Sequence, residues 1–148
     1  MIRSDCTQIC PIIGYIYIVY RILNICIALV WLINGLYCKV LRAVPRHEQI
    51  VSRILGATHA VLLTRVIGVL EVAMAVWVVS RFAGRWCTIL QIMVVSAMNI
   101  IEAYLVPDLL LWGYGNLLFA AVFVAIVALN EFVWQSTVAN SSGHQNQK

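Results

Sequence analysis

Ionisable side chains occur inside stretches of the sequence that are otherwise apolar. The stretch at 61–80, VLLTRVIGVLEVAMAVWVVS, carries Arg65 and Glu71 among Val, Leu, Ile, Ala and Met. An ionised group in hydrocarbon costs at least about 2.5–3.5 kcal/mol, so such groups persist when they are paired, reach the interface or line a wet cavity. The chemistry open to these two residues is therefore proton handling, ligand binding or hydrogen bonding between helices.

Polar residues from four separate apolar stretches are predicted to share one half of the membrane. Their depth follows from counting residues inward from the end of each stretch, at about 1.5 Å per residue along a helix. Glu71 then lies about 9 Å deeper than Arg65 on the same helix. The candidate intramembrane polar cluster consists of Asn34, Arg65, Glu71, Asn99, Glu102 and Asn116.

Rotation around the helices predicts how the charges in this cluster are paired. Arg65 and Glu71 point about 120° apart, which argues against a pair between them. We expect an Arg65–Glu102 ion pair, with Glu71 facing the centre of the bundle and Asn side chains supplying hydrogen bonds. Two interpretations remain open: structural contacts between helices with Arg65 reaching the headgroups, or a site that handles protons or a ligand.

A second candidate site lies in the linker between the first two apolar stretches, at His47 and Glu48. A solvated pair on a loop is the favoured interpretation, because no further ligand spacing supports a metal site. Contact with a metal or a quinone headgroup is the alternative. No histidine falls within an apolar stretch, and no G-x-S-x-G, Walker or H-E-x-x-H motif occurs. We therefore expect no metal, no haem between helices and no catalytic residues.

Composition identifies the elements that must position these residues. The chain has 148 residues, of which 63% are hydrophobic and 11% charged, against about 25% charged in soluble domains. Apolar stretches of spanning length occur at about 16–38, 61–80, 86–106 and 109–130. The predicted fold is an all-α bundle of four transmembrane helices in one domain, 1–135, followed by a disordered polar tail, 136–148. Pro45 is predicted to open a short amphipathic helix in the membrane interface.

The basic residues point to lipid as a partner. The net charge is +4, and most Lys and Arg residues flank the apolar stretches, which favours anionic headgroups over nucleic acid. They divide equally between the two sides of the membrane. Because Arg81 and Arg85 bracket a very short loop, we predict cytoplasmic termini.

Three segments carry a family resemblance. VWLINGLYCKVL (30–41), VPRHEQIVSRILG (44–56) and VIGVLEVAMAVWVVS (66–80) resemble the DoxX-like family of bacterial membrane proteins. The most specific features are Asn34, Gly35 and Lys39, and Gly68 three residues before Glu71. The resemblance implies a compact four-helix protein of the bacterial cytoplasmic membrane. The family takes its name from small subunits associated with a thiosulfate:quinone oxidoreductase, and its better-studied relatives act in membrane complexes tied to redox stress.

Three functions compete at this level. The favoured prediction is an accessory or structural subunit without catalysis, whose partners are the bilayer and another membrane protein. A quinone-linked redox component would use Glu71, Glu102 and the His47–Glu48 linker. A small proton-coupled transporter would need a homo-oligomer. Its interface would be formed by small residues of the fourth span, namely Gly113, Gly115, Ala121, Ala125 and Ala128.

Overall fold

The described part of the chain folds into four long helices and one short helix. The computed structural model describes residues 5–110, 112–113 and 115–134, so the predicted disordered tail lies outside the described residues. The helices are α1 (Asp5–Leu32), α2 (Pro45–Leu55), α3 (Ala60–Ser80), α4 (Gly84–Leu105) and α5 (Gly115–Leu129). The described residues include no strand. Four segments are long and apolar enough to cross a membrane: Gly14–Val40, Ala57–Ser80, Gly84–Leu105 and Gly115–Val133. The predicted all-α bundle with four spans is thereby confirmed.

The first span ends in a wide helical turn. From Ile33 to Val40 the backbone bonds to the residue five positions back, as when Leu41 N–H donates to the Leu36 carbonyl at 2.9 Å. The chain then reverses at Arg42, which has a positive φ of 56°. Wide turns of this kind are rare and often occur at functional sites. The helical span therefore extends beyond the expected end at 38, and Lys39 belongs to it.

Two glycines bring the end of the first span against α3. A Cβ on Gly35 would lie 2.6 Å from the carbonyl oxygen of Gly68, and one on Gly68 would lie 2.8 Å from that of Gly35. Neither contact leaves room for a side chain, so the two backbones touch directly. Small residues at such crossings let membrane helices approach closely.

A buried core joins all four spans, and apolar side chains cover the outside. The core contains Ile27, Ala28 and Trp31 of α1, Met74, Ala75 and Val78 of α3, Cys87 of α4 and Val127 of α5. Large exposed apolar residues occur along every span, such as Leu29, Leu70, Met93 and Leu118. An apolar exterior around a small core is the arrangement that lipid requires.

The short helix predicted after the first span is present as α2, with Pro45 in its first turn. Its apolar side was expected to face the membrane interface. Ile50 instead packs with Val106 and Leu110, in the connection between α4 and α5. The pair Arg53–Asp108, at 2.7 Å, joins the same two segments. That connection forms a short turn at Pro107–Leu109, so α5 begins at Gly115 rather than at 109.

A polar clasp holds the opposite end of the bundle. Arg81, in the turn between α3 and α4, donates to Asn24 Oδ1 at 2.7 Å and to Glu131 Oε2 at 3.2 Å. Its guanidinium also lies 4.4 Å from the ring centroid of Tyr20. These contacts join α1, the α3–α4 turn and the segment after α5 at one end of the bundle.

Candidate functional site

A cavity of about 820 Å³ opens between the helices in the half of the bundle away from the Arg81 clasp. Most of its wall is apolar and comes from α1, α4 and α5, with Trp31, Val95, Met98 and Phe123 among the lining residues. The polar lining residues are Asn34, Cys38, Lys39, Arg46, His47, Glu71, Asn99, Glu102 and Asn116. A wall with a large apolar part and a limited set of polar groups is typical of small-molecule sites.

A buried ion pair forms the polar centre of this cavity. The Lys39 ammonium pairs with the Glu71 carboxylate, and the two side chains are only 3% and 4% exposed. Asn34 Nδ2 donates to both carboxylate oxygens of Glu71, at 3.3 and 3.2 Å. Because desolvating two charges costs several kcal/mol per ion, this arrangement depends on the complete set of contacts. The first span and α3 are thus linked by charge at the place where Gly35 and Gly68 touch.

Lys39 is a site residue that was not predicted from the sequence. The wide turn directs its side chain to a side of the helix that an ordinary α-helix would not give it. In an ordinary α-helix, residues five apart point about 140° away from each other. Bonding to the residue five positions back instead brings Asn34 and Lys39 towards one side of the helix. The spacing of Asn34 and Lys39 therefore predicts a shared side of the helix only once the wide turn is known.

Five of the six residues in the proposed intramembrane cluster line this one cavity: Asn34, Glu71, Asn99, Glu102 and Asn116. Asn99 Nδ2 is occupied by the Val95 carbonyl of its own helix, at 2.9 Å. Trp31 Nε1 donates to Gln91 Oε1 at 2.9 Å, which fixes the indole of this lining residue between α1 and α4. Glu102 forms none of the four ion pairs found among the described residues.

The predicted Arg65–Glu102 ion pair is wrong. Arg65 is exposed on α3 and is not a lining residue, whereas Glu102 faces the cavity. The cation that neutralises a buried acid is Lys39, and the acid is Glu71. Depth along the helices placed Arg65 with the others, but its position around α3 turns it outward.

The predicted site at His47 and Glu48 is divided by the structure. His47 lines the cavity. Glu48 pairs with Arg42 at 2.6 Å and lines a separate groove along α2. Successive residues on a helix diverge by about 100°, so the two side chains serve different surfaces. Within the described residues there is no group of three His, Cys, Asp or Glu side chains that could hold a metal ion.

Two basic side chains, Arg46 and the ion-paired Lys39, lie near His47 at the end of the cavity next to α2. Burial, together with the charges of Lys39 and Arg46, lowers the pKa of His47 to about 4. His47 is therefore neutral at pH 7. Arg46 is half-buried beside it. Arg46 can donate hydrogen bonds into the cavity, and Glu102 and Asn99 of α4 offer acceptors in the same wall.

One known protein family covers most of the chain. The model of a family described as the DoxX-like family matches residues 28–128, which include every residue that lines the cavity. No curated protein and no solved structure matches the chain.

Proposed function

The chain belongs to the DoxX-like family of small membrane proteins, and we propose that it is an accessory membrane subunit that binds a lipid-soluble small molecule. The subunit carries out no catalysis of its own and presents the bound molecule to a partner in the membrane. We place it in the bacterial cytoplasmic membrane with its termini in the cytoplasm.

The observation that carries this proposal is the cavity around the Lys39–Glu71 pair. A purely structural bundle gains nothing from an opening of about 820 Å³ at the level of a buried ion pair. Empty space forfeits packing contacts, and buried charges cost desolvation energy. Both costs are offset when a molecule with an apolar body and a polar head occupies the cavity.

A quinone is a candidate occupant that suits this chemistry. Its carbonyl oxygens accept hydrogen bonds, and Arg46 and Asn116 carry donors in the cavity wall. When reduced, its hydroxyls donate, and Glu102 is an acceptor in the same wall. The side chains of Val95, Phe119 and Phe123 provide apolar surface for the ring and the start of the isoprenoid chain.

Filling the cavity tests the proposal. Ala120 lines the cavity, whereas its neighbour Ala121 is exposed on the outside of α5. We expect protein extracted from native membranes in mild detergent to retain a lipid-soluble molecule in near-stoichiometric amount. The Ala120→Trp variant should lose it, and Ala121→Trp should keep it, as measured by solvent extraction and mass spectrometry.

Two results would count against the proposal. One is wild-type protein that retains no molecule in amounts comparable to the protein. The other is equal retention by the Ala120→Trp and Ala121→Trp variants, which would assign the molecule to the outer, lipid-facing surface. A quinone among the extracted molecules would be recognised from its ultraviolet spectrum before and after reduction.

A further inference from the structure

Arg46 brings buried hydrogen-bond donors to the cavity wall without a partner. It is the second residue of α2 and lines the cavity. Its Nε and Nη1 atoms are buried and have no hydrogen-bond partner among the residues that the structure describes. Arginine is always charged in proteins, and an uncompensated buried charge is strongly destabilising. The described part of the protein therefore leaves Nε and Nη1 of this guanidinium without an acceptor.

The contrast with the other arginines near α2 makes this exceptional. Arg42 pairs with Glu48 at 2.6 Å, and Arg53 pairs with Asp108 at 2.7 Å. Arg53 stands on the same helix as Arg46 but is exposed and lies outside the cavity. The helix thus carries one arginine bound to a carboxylate of the protein and one directed to a space that a ligand can occupy.

The groups around Arg46 leave it as the cation available to a ligand. Lys39 is already engaged by Glu71, which also accepts from Asn34. His47 is neutral at pH 7, because burial and the neighbouring cations lower its pKa to about 4. The first turn of α2 adds the positive end of the helix dipole.

We infer that Arg46 recognises an anionic oxygen group, a phosphate or a carboxylate, in the head of the molecule that occupies the cavity. This inference rests on the proposed function and specifies the class of ligand as an acidic amphiphile. The apolar wall contacts the hydrocarbon chain of the ligand, and the Arg46 guanidinium binds its anionic group. A free anion is the other source of the same chemistry.

The test uses three probes. Dodecyl phosphate and dodecanol share the apolar chain, and dodecyl phosphate and inorganic phosphate share the anionic group. Wild-type protein in phosphatidylcholine nanodiscs is titrated with dodecyl phosphate, with dodecanol and with inorganic phosphate, and binding is read from thermal unfolding. We expect dodecyl phosphate to bind the wild type and the Arg53→Gln variant alike. Hydrogen bonds to charged groups contribute about 1.5–3 kcal/mol, so Arg46→Gln should weaken that binding about 10- to 100-fold. Dodecanol should show no dependence on Arg46.

Each remaining outcome decides the question. Stabilisation by inorganic phosphate alone, lost in Arg46→Gln, would support anion recognition with a free anion as its source. Equal binding of dodecyl phosphate to the wild type and Arg46→Gln would overturn the inference. The Arg46→Lys variant keeps the charge, so it should retain part of the affinity if Arg46→Gln folds poorly.

The inference and the proposed function fail separately. If protein from native membranes retains only a neutral molecule such as a quinone, and Arg46→Gln retains the same amount, anion recognition is wrong and the cavity is still a binding site. If Ala120→Trp and Ala121→Trp retain equal amounts, the cavity itself is not the site.

Discussion

At the scale of residues, the stability of this bundle depends on both members of the Lys39–Glu71 pair. Each charge is tolerated inside the protein because the other is present and because Asn34 supports the carboxylate. Breaking a buried pair by removing one partner is far more costly than replacing both by apolar groups. The pair therefore predicts strong coupling between two substitutions.

We predict that Lys39→Met destabilises the protein by about 3–5 kcal/mol, because it leaves the Glu71 carboxylate buried without its cation. The double variant Lys39→Met/Glu71→Met should recover most of this loss. Arg65→Met is the matched control, since Arg65 is exposed on α3, and it should change little. Unfolding in mixed detergent micelles measures all four proteins. A double variant that is as unstable as Lys39→Met, or less stable, would contradict the coupling.

The neutral state of His47 predicts a pH dependence. Its pKa is about 4 in the folded protein against 6.5 for the free side chain, mainly because it is buried. The unfolded chain then binds the extra proton between pH 6.5 and 4, so stability is complete above pH 6.5 and falls as the pH drops through this window.

In His47→Gln, the melting temperature should fall less between pH 6.5 and 4 than in the wild type. In His59→Gln, it should fall as much as in the wild type. His59 is the control because it is exposed in the turn before α3. Melting curves of the three proteins at matched pH values give the comparison. A decline of the same size in His47→Gln would assign the dependence to other groups.

Part of this site can be predicted from the sequence, and the physical reason differs from residue to residue. Counting depth found Glu71, Glu102 and Asn116, because straight helices translate sequence distance into height. It misplaced Arg65, since height along a helix does not say in which direction a side chain points around the helix. It missed Arg46, whose partnerless state depends on how α2 packs and on no local pattern.

At the scale of elements, the crossing of the first span with α3 determines where the ion pair lies. Gly35 and Gly68 let the two backbones touch, and the wide turn at Ile33–Val40 then directs Lys39 inward. Gly68 and Glu71 are separated by three residues and share a face of α3. Separating the two helices would therefore also draw the lysine away from its carboxylate.

We predict that Gly68→Ala destabilises the protein by about 1–3 kcal/mol, because its Cβ would meet the Gly35 carbonyl oxygen at 2.8 Å. Gly14→Ala in α1 is the control, since nothing lies within 4 Å of the Cβ it adds, and it should be neutral or slightly stabilising. Thermal unfolding of both variants tests this. Equal stability would mean that the helices separate at no cost.

The elements themselves follow from sequence more readily than their ends. Apolar stretches of spanning length predicted all four membrane helices, and Pro45 predicted the start of α2. The end of the first span was misjudged because Lys39 looks like a loop residue until its buried partner is known. The start of α5 was placed too early because Leu109 and Leu110, which are apolar, belong to the connection that packs on α2.

At the scale of the whole molecule, the bundle is closed at one end and open at the other. The Arg81 clasp joins the helices near Asn24 and Glu131, whereas α2 borders the cavity at the opposite end. The apolar exterior is set by composition and was predictable from it. The cavity depends on tertiary packing, because no sequence pattern specifies empty space between helices. A homo-oligomer through the small residues of α5 stays a prediction.

A crystal structure of protein extracted from native membranes without added lipid tests most directly whether the cavity binds a molecule. We expect non-protein density in the cavity, with a polar end near Arg46 and Glu102 and an apolar end along Phe119 and Phe123. A cavity that has collapsed around the Lys39–Glu71 pair, or that contains water alone, would contradict it. The bundle would then be a structural membrane protein whose buried charges serve only to join the first span to α3.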